Sequence, residues 1–278
     1  MVCVNWFESV ALDAEMIGQW KMISFLALRN AAEEQGISPA EAEVFSLEQG
    51  FIPSRYIRNM GTLGPEGQIR LLTSSIAVIG CGGLGGLVSD LLARAGVGRL
   101  VFVDGDVFDE TNLNRQVLAT ENLIGVSKAR AAAARALEIN GAVDAEGRQC
   151  RFDPFTAEGI LDGIDLAVDC MDSLSGRRVL FAECASREIP LVSAAIAGFW
   201  GQVGVVLPGE DALTGYLAGE SDKGIEEETG NPPFTPAVVA ALECAQAIKL
   251  LTGKGTVLSD QLLWIDLADD EFTRLRLR

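Results

Sequence analysis

The stretch VDGDVFDETNLNRQ, Val103 to Gln116, closes an apolar run on two aspartates, Asp104 and Asp106. It then stays almost wholly polar through Asn112, Arg115 and Gln116. Lys128 follows at the head of an alanine-rich segment, and Asp169 and Asp172 close the next apolar run. Cations able to sit on phosphate oxygens, with a carboxylate able to hold Mg2+, describe a site for a nucleoside triphosphate. The chain has no histidine, which removes the commonest general base, the Ser–His and Cys–His nucleophile pairs, and imidazole metal sites. Its chemistry has to run on carboxylates, Lys, Arg, Cys, Tyr and backbone groups.

Just upstream, GCGGLG from Gly80 to Gly85 fits G-x-G-x-x-G between an apolar run and a helical one. Gly80 allows the tight turn, Gly82 lets phosphate approach the backbone, and Gly85 lets helix pack on strand. The amides at that helix start favour an anion, and Asp104, at the end of the following strand, can grip a ribose hydroxyl. This constellation alone serves NAD, FAD and ATP equally. A dehydrogenase usually brings His, or a Tyr and Lys four apart, to handle a proton; Tyr56 and Tyr216 sit in no such pair. The polar run therefore favours ATP, with a nicotinamide-dependent oxidoreductase as the rival reading.

The elements that must position these groups follow from periodicity. SIAVIG and RLVFVD predict buried strands flanking the helix LGGLVSDLLARAGV, a βαβ unit. GVSKARAAAARALEIN predicts a helix, IDLAVDCMD a third strand, and RRVLFAECASREI another helix; PLVSAAIAG and GQVGVVLPG read as strands. AVVAALECAQAIKLL then gives a helix and QLLWIDL a closing strand. The alternation predicts an α/β fold: a Rossmann-like, doubly wound, mainly parallel sheet extended by antiparallel strands. Parallel strands deliver their C-terminal ends to one edge, so the aspartates and cations can converge above the glycine loop. Residues 1–52 read as a helical N-terminal extension, with Leu12, Met16, Trp20, Ile23 and Ala27 at helical spacing. A second helix there starts at SPAE, with Ser38 capping, Pro39 in the first turn and Glu41 closing a capping box. Residues 53–278 are left as the nucleotide-binding domain. Residues 209–235, acidic and rich in Gly and Pro, predict a long surface loop.

A formal charge of −17 without a basic run argues against a nucleic-acid partner. No apolar stretch reaches the length of a membrane span and the N-terminus lacks the basic start of a signal peptide, so a cytoplasmic location is expected. The six cysteines are scattered, with no C-x-x-C pair, and are read as reduced.

RYIRN at 55–59, GPEGQIRLL at 64–72, GCGGLGG, DGDVFDETNLNRQ, GVSKA, DCMDS and IAGFWGQV appear in that order. In sequence and spacing this resembles the ThiF/MoeB/HesA family, bacterial relatives of ubiquitin-activating enzymes, over roughly residues 54–278. The resemblance implies adenylation of the C-terminal glycine carboxylate of a ubiquitin-like sulfur-carrier protein ending in Gly-Gly, with ATP and Mg2+, in molybdenum- or tungsten-cofactor or thiamine-type sulfur transfer. It also implies a homodimer with shared active sites. Carried over by position, Gly83 lies against the phosphates, Asp104 binds ribose, Asn112, Arg115 and Lys128 contact phosphates, and Asp106 and Gln116 complete the nucleotide-binding set, with loop-ordering as the alternative for Asp106. Asp172 holds Mg2+, and Arg58 reaches into the neighbouring subunit's site.

A carboxylate nucleophile is already ionised at neutral pH, which agrees with the missing histidine. The paired C-x-x-C motifs of zinc-binding relatives are absent, so no zinc is expected. The 209–235 loop carries no cysteine, so direct sulfur or thioester transfer by this chain is not expected. Ser173 replaces the usual Asn after the metal-binding aspartate. A noncatalytic partner subunit, or adenylation of a peptide or tRNA base on the same fold, remain alternatives. Phe199 and Trp200 read either as part of a groove for the carrier's tail or as core.

Overall fold

The computed structural model describes residues 5–210 and 226–277. At the N-terminus, α1 (Asn5–Ala11), α2 (Phe25–Gln35) and α3 (Pro39–Glu48) pack Trp6, Phe7, Leu28, Ala32 and Ala42 into a small core of their own. Ser38 Oγ accepts the Glu41 N–H at 3.2 Å while the Glu41 carboxylate accepts the Ser38 N–H at 2.7 Å, so the capping box forms. The expected helix across Leu12–Ala27 does not form as such. Glu15–Ile17 (β1) and Trp20–Ile23 (β2) make an antiparallel hairpin turned at Gly18, whose φ is +60°, a backbone state that glycine reaches without strain. Leu12 and Met16 are exposed and Ile23 is buried, so the apolar spacing there marks no single packed face. β2 then pairs in parallel with β3 (Phe51–Pro53).

A 3-10 turn over Ser54–Asn59 joins this unit to the rest. Tyr56, fully buried, donates its hydroxyl hydrogen to Glu43 Oε2 at 3.0 Å and accepts from Asn140 Nδ2 at 2.9 Å. Arg55 pairs with Glu43 at 3.2 Å and also reaches Asn140 Oδ1. Burial raises the Glu43 carboxyl, opposed by the Arg55 charge. Tyr56→Phe takes one hydrogen bond from each of two buried polar groups. A loss of about 2–3 kcal/mol is expected in a urea unfolding curve; an unchanged midpoint would show this joint to be idle.

After α4 (Gly64–Leu72), the chain builds an eight-stranded sheet. Its strands are β4 (Ser75–Ile79), β5 (Arg99–Val103), β6 (Asp144–Arg148), β7 (Leu166–Asp169), β8 (Leu191–Ala197), β9 (Trp200–Val206), β10 (Gln261–Asp266) and β11 (Glu271–Arg276). The order is β11-β10-β9-β8-β7-β4-β5-β6, with β8 through β6 parallel and β9, β10 and β11 added antiparallel. Side-chain alternation splits the buried strand residues between two layers. Ile76, Val78, Leu100 and Phe102 face α5 (Gly83–Ala95) and α6 (Lys128–Ile139), while Ala77, Ile79, Val101 and Val103 face α7 (Pro154–Leu161) and α8 (Leu174–Ser186).

The final long helix, α9 (Phe234–Thr252), starts a turn before the expected apolar run and packs against α5, β8 and β9. It is long and apolar enough to cross a membrane by length and composition, a measure the sequence is not expected to meet. It carries the wholly buried Glu243. Of the expected 209–235 loop, residues 211–225 lie outside the described residues.

Candidate active site

The chain leaves β4 toward β5 on one side and meets β7 on the other, so the strand order reverses at β4 and opens a crevice at the strands' C-terminal ends. A cavity of ≈ 400 Å³ fills that crevice. Gly80 starts the loop at φ +93°, and a Cβ there would sit 2.6 Å from the Cys170 carbonyl oxygen. A Cβ on Gly85 would fall 1.8 Å from the Gly80 carbonyl oxygen, so only glycine lets α5 start this close to β4. Gly82 caps the helix, leaving the first amides of α5 turned to the cavity that Gly82 and Gly83 line.

Asp104 fastens the loop from the neighbouring strand. Its Oδ2 accepts the Cys81 N–H at 2.7 Å and its Oδ1 accepts the Asp106 N–H at 2.8 Å. Burial raises the Asp104 carboxyl, opposed by those two N–H groups and the Lys128 charge. Lys128, 7% exposed, opens α6 with its ammonium 3.4 Å from Asp106 Oδ2.

Between Asp106 and Lys128 the polar run folds as a loop with two 3-10 turns, Glu110–Asn112 and Glu121–Leu123. Asp109 and Asn112 close a reciprocal cap: Asp109 Oδ1 accepts the Thr111 N–H at 2.7 Å, and Asn112 Oδ1 accepts the Asp109 N–H at 3.2 Å. The Thr111 hydroxyl and amide hold Asp109 below the usual carboxylate range. The turn sends Arg115 to the cavity, its Nη1 donating to the Thr111 carbonyl at 3.0 Å and to Asn114 Oδ1 at 2.9 Å. Gln116, 6% exposed, lies beneath Gly82.

On the β7 side, Asp172 lines the cavity as an exposed carboxylate with no hydrogen bond or ion pair among the described residues. The turn presenting it is anchored by a buried pair: Arg177 Nε lies 3.0 Å from Asp169 Oδ2. Arg177 Nη2 donates to the carbonyls of Met171 at 2.7 Å and Ala194 at 2.9 Å. Ser193 Oγ donates to Asp169 Oδ2 at 2.6 Å. Behind the turn, Glu243 Oε2 accepts from Cys170 Sγ at 3.6 Å, and burial pushes the Glu243 carboxyl well up.

Of the residues picked out by sequence, the cavity brings together Gly80, Gly82, Gly83, Asp104, Asp106, Arg115, Gln116, Lys128 and Asp172. Gly85 lies behind the loop, and Asn112 is buried with its side chain turned to Asp109. Arg58 is exposed and does not line this chain's cavity. Sequence reasoning misses Arg177, Asn231 and the wall of Cys150, Arg151 and Phe152. That wall follows β6, a polar edge strand with no apolar signature. Arg177 sits in an Arg–Arg pair at the head of a segment read only as a helix. Cys81, Cys170, Cys184 and Cys244 are all buried. Burial pushes the Cys184 thiol up to about 12 and the other three well above their usual value.

A model of the ThiF family matches residues 55–278. The SAMP-activating enzyme E1 of Haloferax volcanii is 35% identical over 229 residues, 81% of this chain and 85% of that protein. The adenylyltransferase and sulfurtransferase MOCS3 of Sus scrofa is 33% identical over 296 residues, 98% of this chain; the chain spans 62% of that protein's length. Among solved structures, PaaA superposes with a TM-score of 0.69 at 22% identity, covering 80% of this chain and 72% of that one. E. coli MccB with ATP superposes with a TM-score of 0.66 at 21% identity, covering 90% and 82%. At these identities the structural likeness speaks for the fold.

Proposed function

The chain belongs to the ThiF family, and we propose that it is an ATP-dependent adenylyltransferase acting on the C-terminal carboxylate of a ubiquitin-like sulfur-carrier protein ending in Gly-Gly. The observation that carries this reading is the convergence of the glycine loop, Asp104, Arg115, Lys128 and Asp172 on one cavity in a fold without histidine. The carboxylate needs no base. It attacks the α-phosphorus, a C–O–P bond forms, the bond to the β-phosphate oxygen breaks, and pyrophosphate leaves with that electron pair.

This chain's residues supply position and charge. The α5 amides and Lys128 hold phosphate oxygens, Arg115 meets charge on the leaving phosphates, and Asp104 accepts from a ribose hydroxyl. Asp172 would hold Mg2+. A free carboxylate facing phosphate oxygens suits an ion that takes one or two protein carboxylates and completes its shell with phosphate and water. Mg2+ there would neutralise phosphate charge.

The active unit is the 53–278 portion, working as a cytoplasmic homodimer in which the exposed Arg58 enters the partner's cavity. The test is ATP–pyrophosphate exchange with carriers ending in Gly-Gly. Exchange should require both Mg2+ and carrier; tight NADH binding without ATP binding would instead restore the oxidoreductase reading. Mixing Arg58→Ala with Arg115→Ala chains should recover about one quarter of the activity if sites are shared, since random pairing leaves half the dimers mixed, each with one intact site. No recovery would remove the sharing.

A further inference from the structure

Among the described residues, two buried side-chain amide oxygens on the cavity wall have no hydrogen-bond partner, Gln116 Oε1 and Asn231 Oδ1. An orphan acceptor costs free energy unless a donor arrives. Ionised phosphate oxygens only accept, so the triphosphate itself cannot meet that need; a water or an N–H or O–H of the ligand can.

Gln116 lies beneath Gly82, on the loop side. Asn231 stands elsewhere. Its backbone carbonyl accepts from Asn114 Nδ2 at 3.2 Å, and Asn114 Oδ1 in turn holds Arg115. The preceding residue is tied to the β8–β9 turn by the Gly198 N–H donating to the Gly230 carbonyl at 2.8 Å. Asn231 is thereby fixed on the Arg115 side, while Asp104 and the Gly105–Arg151 contact form the wall suited to the nucleoside. Phe199, the residue after Gly198, and Phe234, three residues past Asn231, remain 48% and 41% exposed with ring centroids 5.0 Å apart. An apolar pair is thus tied, through the Gly198–Gly230 backbone bond, to the segment that carries an orphan acceptor.

A Gly-Gly tail has no side chains to recognise, so a site that reads it must use its backbone N–H and C=O groups. Resting on the adenylation reading above, we infer that Asn231 Oδ1 accepts a backbone N–H of the substrate's extended C-terminal tail, which enters across Phe199 and Phe234. Asn231 is then a specificity-determining residue: it sets the register that brings the terminal carboxylate to the α-phosphorus, in line with the leaving phosphates.

The experiment pairs Asn231→Leu, close in size but without the acceptor, with a ubiquitin-fold carrier ending in Gly-Gly. The same carrier is semisynthesised with sarcosine at either of its last two positions, which deletes one N–H. Asn231→Leu should raise the KM for carrier about tenfold in the exchange assay and leave the KM for ATP unchanged. One sarcosine carrier should show a similar loss against the unsubstituted protein and no further loss against Asn231→Leu. If Asn231→Leu fails to fold, Asn231→Asp, which keeps an acceptor, should retain the sarcosine penalty. An unchanged carrier KM in Asn231→Leu, or fully additive penalties, overturns the inference while leaving adenylation intact. Exchange absent from the unsubstituted protein with every carrier overturns the adenylation reading itself.

Discussion

Arg115→Ala is expected to lower carrier-dependent ATP–pyrophosphate exchange by about 100- to 1,000-fold, the usual cost of removing one preorganised group that meets charge developing at the reacting centre. The guanidinium is not a loose surface charge: the Thr111 carbonyl and Asn114 Oδ1 both hold Nη1, and the Asp109–Asn112 cap fixes the turn that carries it. Because these contacts are local to an exposed loop, thermal stability should change little. The assay therefore separates chemistry from folding. A variant with exchange within about threefold of the unsubstituted protein would dismiss Arg115 from the leaving phosphates.

Arg177→Met is expected to produce the largest loss of stability, about 3–5 kcal/mol, because it strands Asp169 as a buried carboxylate without its cation. For a chain of this size that lowers the melting temperature by about 10 °C. The double variant with Asp169→Asn should recover part of the loss, since the unpaired charge goes with it. The pH dependence gives an independent check. Burial raises the Asp169 carboxyl and the Arg177 charge pulls it back, so Arg177→Met raises it further. A carboxyl whose folded pKa exceeds its unfolded one binds more protons when folded, so its stability rises as pH falls. The single variant should therefore regain stability toward acid more steeply than the unsubstituted chain. A flat difference between the two curves would mean the pair is not what holds the Asp172 turn.

Much of the fold and the site is legible in the residues alone. The βαβ units around Gly80–Gly85 are readable because fully buried parallel strands are short unbroken apolar runs, and glycine there answers to backbone approach, as the Gly85–Gly80 contact makes plain. The site residues are readable because polar side chains clustered after strand ends have few other reasons to be there. What escapes has no period to show. β6 is a polar edge strand, β11 is exposed along its whole length, and the β1–β2 hairpin hides inside a spacing that also fits a helix. Arg177 and Asn231 escape because an arginine in a helix and an asparagine before two prolines carry no sign of burial or of an orphan acceptor until the fold encloses them.

A sulfur atom attacks as its anion, and burial holds Cys81, Cys170, Cys184 and Cys244 protonated at neutral pH. Cys150, half-buried on the cavity wall, is also pushed up by burial. An acyl-adenylate made in this crevice would thus lie beside two thiols, on Cys150 and Cys170, both pushed up by burial. Among the described residues the scaffold thus offers no ready thiolate to the crevice, and a sulfur nucleophile acting there would be one that another molecule delivers.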